Sequence, residues 1–218
     1  MEPIIVSIII TAVATGIAAF SYVDSKKIIQ KKMRKAPFKR IALVENGETV
    51  TIAGNVVFHK RFITAPLSDR ECVYYHATVE RKKSSGKSTK WVNEIDEAAA
   101  VNFLLDDGDR VAVVDANAVE GYIEMDEHYK SGAFNPATPK MESFLNKYQY
   151  TSKGIMGFNK NMRYKEGALE KHEYCIVCGT CYWEKAADHD IEGYEEVLVI
   201  KSTKGNPVYI SDKEDILI

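Results

Sequence analysis

Cysteine is scarce in this chain: four in 218 residues, too few for a disulfide framework and in keeping with a reducing compartment. An excess of one charge is missing as well. Twenty-nine lysines and arginines face thirty-one acids for a formal charge of −2, which weakens any reading as a nucleic-acid binder. No Ser/His/Asp order, HExxH helix or glycine-rich nucleotide fingerprint stands out, and the histidines (59, 76, 128, 172 and 189) are scattered. These absences leave no recognisable catalytic constellation and no implied cofactor. Disorder is excluded too, because 45% of the residues are hydrophobic and the charges of both signs are interspersed.

One long apolar run is present. Residues 4–23 are twenty positions without a charge, interrupted only by the hydroxyls of Ser7, Thr11, Thr15 and Ser21. At about 1.5 Å per residue such a helix spans roughly 30 Å, which predicts a transmembrane helix over 1–24. A cleavable signal would begin with basic residues, but Met1, Glu2 and Pro3 precede the run. Lys26, Lys27, Lys31, Lys32, Arg34, Lys35, Lys39 and Arg40 all follow it, so the positive-inside rule predicts a single-pass protein with its domain on the cytoplasmic side. The same cluster predicts a basic juxtamembrane helix over 25–36 lying against the anionic headgroups of the bilayer. That helix should stop before Pro37, since the residue preceding proline disfavours the α region.

From 37 to 218 strand signals dominate. Thr49–Ile52 and Asn55–Phe58 flank Gly54; Cys72–Glu80 is β-rich; Lys90–Glu94 should pair with it across the polar turn 82–88. Val101–Leu105 should meet Arg110–Val114 through Asp106-Asp107-Gly108-Asp109, a hairpin signal. Tyr174–Trp183, Val197–Lys201 and Pro207–Ser211 follow. Short strands separated by turn chemistry predict an all-β fold, barrel-like. Met125–Glu170 lacks alternation, and a short helix over Lys140–Lys147 is expected there as an insert covering a barrel end. Glu48–Phe58 and Glu173–Trp183 echo each other at an offset of 125, each with a glycine inside a strand. Such glycines mark bends, so the echo predicts two curled subsheets of the OB type.

Four strings then occur in a familiar order. Ile63–Tyr75 contains Pro66-Leu67-Ser68, Cys72 and Tyr74-Tyr75; Phe103–Asp115 contains Asp107-Gly108; Arg163–Gly179 contains Glu166 and Gly179; Gly205–Asp212 contains Pro207, Ile210 and Ser211. Together they resemble the "beside a membrane" domain of the MULAN/GIDE-type proteins over about residues 35–215, in the manner of a RING-less, prokaryotic-type member. In eukaryotic members of that family this domain recognises substrate for an E3 ubiquitin ligase and lies between two transmembrane helices, ahead of a RING finger. A RING needs eight paired Cys/His ligands for two zinc ions. The four cysteines and five histidines here do not fall in those pairs, so ligase chemistry is not carried over. Relatives in mitochondria place the domain away from the cytosol, whereas the charges here place it inside.

His172, Cys175, Cys178 and Cys181 form His-x2-Cys-x2-Cys-x2-Cys, which on a loop could ligate zinc or an iron–sulfur cluster. Read as a strand, the run sends Cys175 and Cys181 to one face with Val177 and Cys178 to the other, and cannot converge on one ion. Ser85-Gly86-Lys87-Ser88 imitates a phosphate-binding loop, but Arg81 stands where its first glycine belongs. Asp188-His189-Asp190-Ile191-Glu192-Gly193 imitates a calcium loop, but Val199 occupies its twelfth position. His76 is expected on a strand face, and Tyr74, Tyr75 and Trp91 are expected to pack in the core rather than form a contact patch. The expected function is a membrane-tethered scaffold that binds another membrane or cytosolic protein, but no nucleic acid, through an open sheet edge, the 82–97 hairpin and the segment 125–170. The alternatives are an enzyme subunit, as a ligase accessory or a metal protein built on the cysteines, and a ligand-binding barrel.

Overall fold

A computed structural model describes residues 22–154 and 157–217. The chain runs through α1 (Tyr22–Lys35), β1 (Thr49–Phe58), β2 (Ile63–Thr64), β3 (Glu71–Ser85), β4 (Ser88–Ala100), β5 (Phe103–Asp106), β6 (Val111–Val114), β7 (Val119–Tyr122), β8 (Glu127–Ser131), α2 (Pro139–Lys147), β9 (Met162–Glu170), β10 (Tyr174–Lys185), β11 (Glu196–Lys201) and β12 (Val208–Ser211). Five strands close on themselves in the order β1-β5-β6-β11-β10, with β10 returning to β1. All neighbours are antiparallel except β6 and β11. Counted along the chain this is 1-2-3-5-4-1, the connectivity of a Greek-key OB barrel. Closure leaves the alternating inward residues Ile52, Val56, Phe103, Leu105, Val177 and Ile200 fully out of water, and they form the larger core.

The second sheet is built from what lies between barrel strands. The β1–β5 connection supplies β2, β3 and β4, and the β6–β10 connection supplies β8, α2 and β9, giving an open sheet in which β3 lies between β9 and β4. α2 covers one face of it: Met141, Phe144 and Leu145 meet Ala77, Val79, Ile95, Met162 and Tyr164. The helix starts where sequence chemistry dictates, with Thr138 Oγ1 accepting from the Met141 amide and Pro139 at its first position.

Several expectations need correction. The expected transmembrane run lies almost wholly on residues 1–21, outside those described; among the described residues no helix is long and apolar enough to cross a membrane. The single-pass anchor, and the cytoplasmic-face placement read from it, are therefore not supported. The basic helix does form, as α1, but it serves the domain itself. Ile29 and Met33 bury against Tyr122, Ile176, Tyr209 and Ile216, while Arg34 Nε donates to the Ile216 carbonyl (3.0 Å) and Lys26 lies over the Tyr122 ring. Cations expected to face headgroups are thus partly spent on the protein's own groups.

The two echoing strands do not make two subsheets. They are β1 and β10, paired antiparallel in one barrel, with Gly54 opposite Cys175 and Gly179 opposite Val50. Each glycine sits where another element presses in: a β-carbon at Gly54 would overlap the Asp106 carbonyl, and one at Gly179 would reach Ile200. Gly54→Ala should therefore lower stability by about 2–3 kcal/mol, read as a shift in the urea midpoint, because backbone rather than a yielding side chain blocks the methyl. The helical insert covers the open sheet instead of a barrel end. β8 and β9 lie inside the stretch that showed no alternation, since the buried face of β9 includes Glu166 and Gly167 lies opposite it.

Candidate functional site

The cysteine cluster resolves by strand geometry. Cys175 and Cys181 point into the barrel core, whereas Cys178 points outward against Ile29, Met33 and Tyr209. His172 sits at the β9–β10 turn with φ +72°, its amide donating to the Val56 carbonyl (2.8 Å). Among the described residues no three His, Cys, Asp or Glu side chains are gathered as a metal would need. All four thiols are free and buried, and burial pushes their pKa up, to about 12 for Cys72 and Cys181, which makes them poor nucleophiles. The period-two alternation of a strand separates side chains that the linear spacing groups together.

The family-like residues hold the fold together at its crossings. Glu166 is completely buried on β9, and its two carboxylate oxygens accept the amides of Leu67 (2.7 Å) and Ser68 (3.0 Å). This pins the Pro66-Leu67-Ser68 loop onto the open sheet. Cys72 is buried beside Ile63, its thiol 3.6 Å from that carbonyl. A bulge on β3 between Cys72 and Tyr74 lets adjacent tyrosines serve different cores: Tyr74 enters the barrel against Gly121, Tyr75 the core under α2. Asp107 caps the β5–β6 turn, accepting from Asp109, Arg110 and Ile41, with Gly108 at φ +86°. Ile210 lies in the barrel core, and Ser211 Oγ donates to the Tyr122 carbonyl (2.7 Å), locking β12 to β7 just after Pro207. Of these positions only Gly179 and Pro207 line a shared cleft, the one between the end of α1 and strands β10 and β12.

What remains available for recognition lies on the open sheet. Among the described residues β4 pairs with β3 alone, so no strand lies along its other edge over Ile95–Ala100. The Val101 amide donates to the Val73 carbonyl; in an antiparallel ladder Ala99, Glu97 and Ile95 then also face β3, and Asp96, Ala98 and Ala100 direct their main-chain groups outward. The register shift opposite Val79 and Glu80 ends this regular stretch near Glu94. Glu97 stiffens the edge from below. Its carboxylate is nearly buried and accepts from Lys147 Nζ (2.7 Å) and from the phenols of Tyr75 and Tyr148, tying β4 to the end of α2. These donors, led by Lys147, outweigh burial and hold Glu97 below the usual carboxylate range, whereas burial and the nearby carboxylate push both tyrosines up. Nothing in local sequence pattern singled out Glu97; a charged residue at an inward strand position was the available signal.

Beyond Glu94 the β3–β4 hairpin is basic. Residues 81–90 carry Arg81, Lys82, Lys83, Lys87 and Lys90 and no acid. Arg81 and Lys83 reach Glu94 (2.8 and 2.9 Å), but no carboxylate stands within ion-pair distance of Lys82, Lys87 or Lys90 among the described residues. Lys83 and Lys90 are directly opposite each other across the ladder, a like-charge pair that Glu94 offsets on the Lys83 side only. Trp91 was expected in the core but is over a third exposed, with the Arg163 guanidinium 4.4 Å above its ring. Phe134 and Phe158 are fully or largely exposed in loops of the segment 125–170.

The remaining motifs take ordinary places. Ser85–Ser88 is the turn of this hairpin, and Asp188–Gly193 is a turn in which Asp190 pairs with Lys60. His76, on the face of β3 away from α2, bonds Asp96 at 2.6 Å. A cavity of about 510 Å³ opens between Arg110, Trp183 and Tyr194 at the β10–β11 loop. It is not the enclosed apolar chamber that a ligand-binding barrel needs: the barrel interior is filled by side chains. No family model, curated protein or solved structure matches this chain.

Proposed function

We propose that this protein is a protein-binding module that captures an extended segment of a partner along the β4 edge. The observation that carries it is the unpaired regular stretch Ile95–Ala100, flanked by small alanine side chains and held rigid through Glu97. An added strand would satisfy the outward amides and carbonyls at Asp96, Ala98 and Ala100. The basic hairpin continues the same strand, so the segment's distal part is acidic: carboxylates there would meet Lys82, Lys87 and Lys90. A polynucleotide suits the site less well. It has no main chain to extend a ladder, and the one aromatic of the hairpin is already covered by Arg163. The recognition role implied by the resemblance to the "beside a membrane" family points the same way, and the buried, unreactive thiols favour it over an enzyme subunit.

Ala98→Pro removes one outward amide without touching the β3 ladder, so stability should change by about 1 kcal/mol or less. A photocrosslinker at Ala100 should trap a discrete partner through an acidic segment, while one at Lys204 on the barrel should not. Ala98→Pro should abolish that adduct, and charge reversal at Lys82, Lys87 and Lys90 should weaken it at least about tenfold in a salt-dependent manner. Equal trapping at both positions, or indifference to Ala98→Pro, would overturn the reading.

A further inference from the structure

The geometry points to a second, unrelated site: the cleft between the end of α1 and strands β10 and β12 binds a small molecule bearing a phosphate group on an apolar body. The cleft holds about 330 Å³, enough for one ring and its phosphate. Its polar side chains are cationic or neutral. Lys32 and Lys35 reach in from α1, the hydroxyls of Thr49 and Thr180 from the barrel, and the Asn206 amide from the turn before β12. No carboxylate lines it, and neither lysine has one within ion-pair distance among the described residues. Glu48, next to Thr49, is engaged with Lys39 at 2.7 Å.

The hydroxyls are poised as donors. Thr49 Oγ1 and Thr180 Oγ1 are 3.0 Å apart, so one proton serves their mutual bond and the other remains to be offered. Lys32 Nζ makes one long bond, 3.4 Å to Asn206 Oδ1, leaving two of its three protons for an oxyanion. The lysines supply charge and the threonines direction, the division expected of a phosphate site built without arginine. The rest of the wall is apolar: Ala36, Pro37, Pro207 and the Tyr209 ring, with the Cys178 thiol at its floor. Such walls hold the body of a ligand while the polar rim takes its head. This occupancy would also fasten α1 to the barrel, since the ligand touches both.

The test titrates the full chain with phenyl phosphate, followed by amide chemical shifts, with phenol and benzylamine as neutral and cationic counterparts. Phenyl phosphate should shift Thr49, Thr180, Asn206 and Tyr209, and the other two should not. Lys32→Glu with Lys35→Glu should weaken binding at least about tenfold, and Thr180→Val about threefold, while Lys130→Glu on β8 leaves it unchanged. All these side chains are solvent-accessible, so unchanged melting curves will confirm folded variants. Phosphatidylcholine vesicles with and without phosphatidic acid separate the sources: sedimentation only with phosphatidate, lost in the double variant, would assign the group to a lipid head. Failure of phenyl phosphate and of phosphatidate vesicles alike, or binding indifferent to Lys32 and Lys35, would overturn the site.

Discussion

Replacing Glu166 by leucine should destabilise the protein by about 3 kcal/mol, although the two side chains fill similar space. The carboxylate is wholly buried and is the acceptor for two main-chain amides, Leu67 at 2.7 Å and Ser68 at 3.0 Å. Leucine would strand both donors away from water, and each buried amide left without an acceptor costs about 1–3 kcal/mol. Glu166→Gln should recover roughly half of the loss, because one amide oxygen can still accept one of the two bonds. Urea unfolding of the three proteins measures this directly. A loss under about 1 kcal/mol for leucine would show that the Pro66–Ser68 loop is held by its apolar contacts instead.

Asp212 should make stability fall as pH rises through neutrality. Burial, aggravated by Glu173 and Asp126, pushes its carboxyl up to about 7. Glu124 donates its amide to one oxygen at 2.8 Å, while the other oxygen is buried without a partner. No cation stands within ion-pair distance of it among the described residues: Lys213, its neighbour in the chain, pairs with Glu124. Between the ordinary aspartate pKa near 4 and the folded value near 7, the folded state binds a proton that the unfolded chain does not. Stability from this group is therefore greatest toward pH 4 and is lost as pH climbs past 7. Asp212→Asn should stabilise the protein at pH 8 by about 1–2 kcal/mol, a figure reduced for partial solvent screening, and should flatten the slope between pH 5 and 8. Melting temperatures across that range for the two proteins decide it. Parallel curves would mean that the carboxyl ionises in both states alike.

Much of the strand inventory was legible because one-sided burial imposes period two. Val50, Ile52 and Val56 of β1 and Cys175, Val177 and Cys181 of β10 fall at alternate positions facing the barrel core, and Asp107 with Gly108 spells out its own turn. The same rule put Cys175 and Cys181 on one face and Cys178 on the other. It failed over Met162–Glu170, where an inward position carries a charged residue whose partners lie about a hundred residues earlier. Hydropathy alone marked 4–23 as a membrane span, yet no described helix is long and apolar enough to cross one, and Lys26 and Arg34 beyond it are engaged within the domain. Of the proposed sites, the hairpin and the open edge were anticipated in outline. The cleft under α1 was not, because its groups come from four separate stretches of chain.

By itself the sequence determined the local choices: which stretches are strands, where proline and glycine end or bend them, and which way alternate side chains point. Only the tertiary structure decided that β1 and β10 are partners in one barrel, that β4 is left as an edge, and that Lys32 and Thr180 line one cleft. Those outcomes depend on pairings between residues far apart in the chain, and nothing in a strand's own alternation names the strand it will bond.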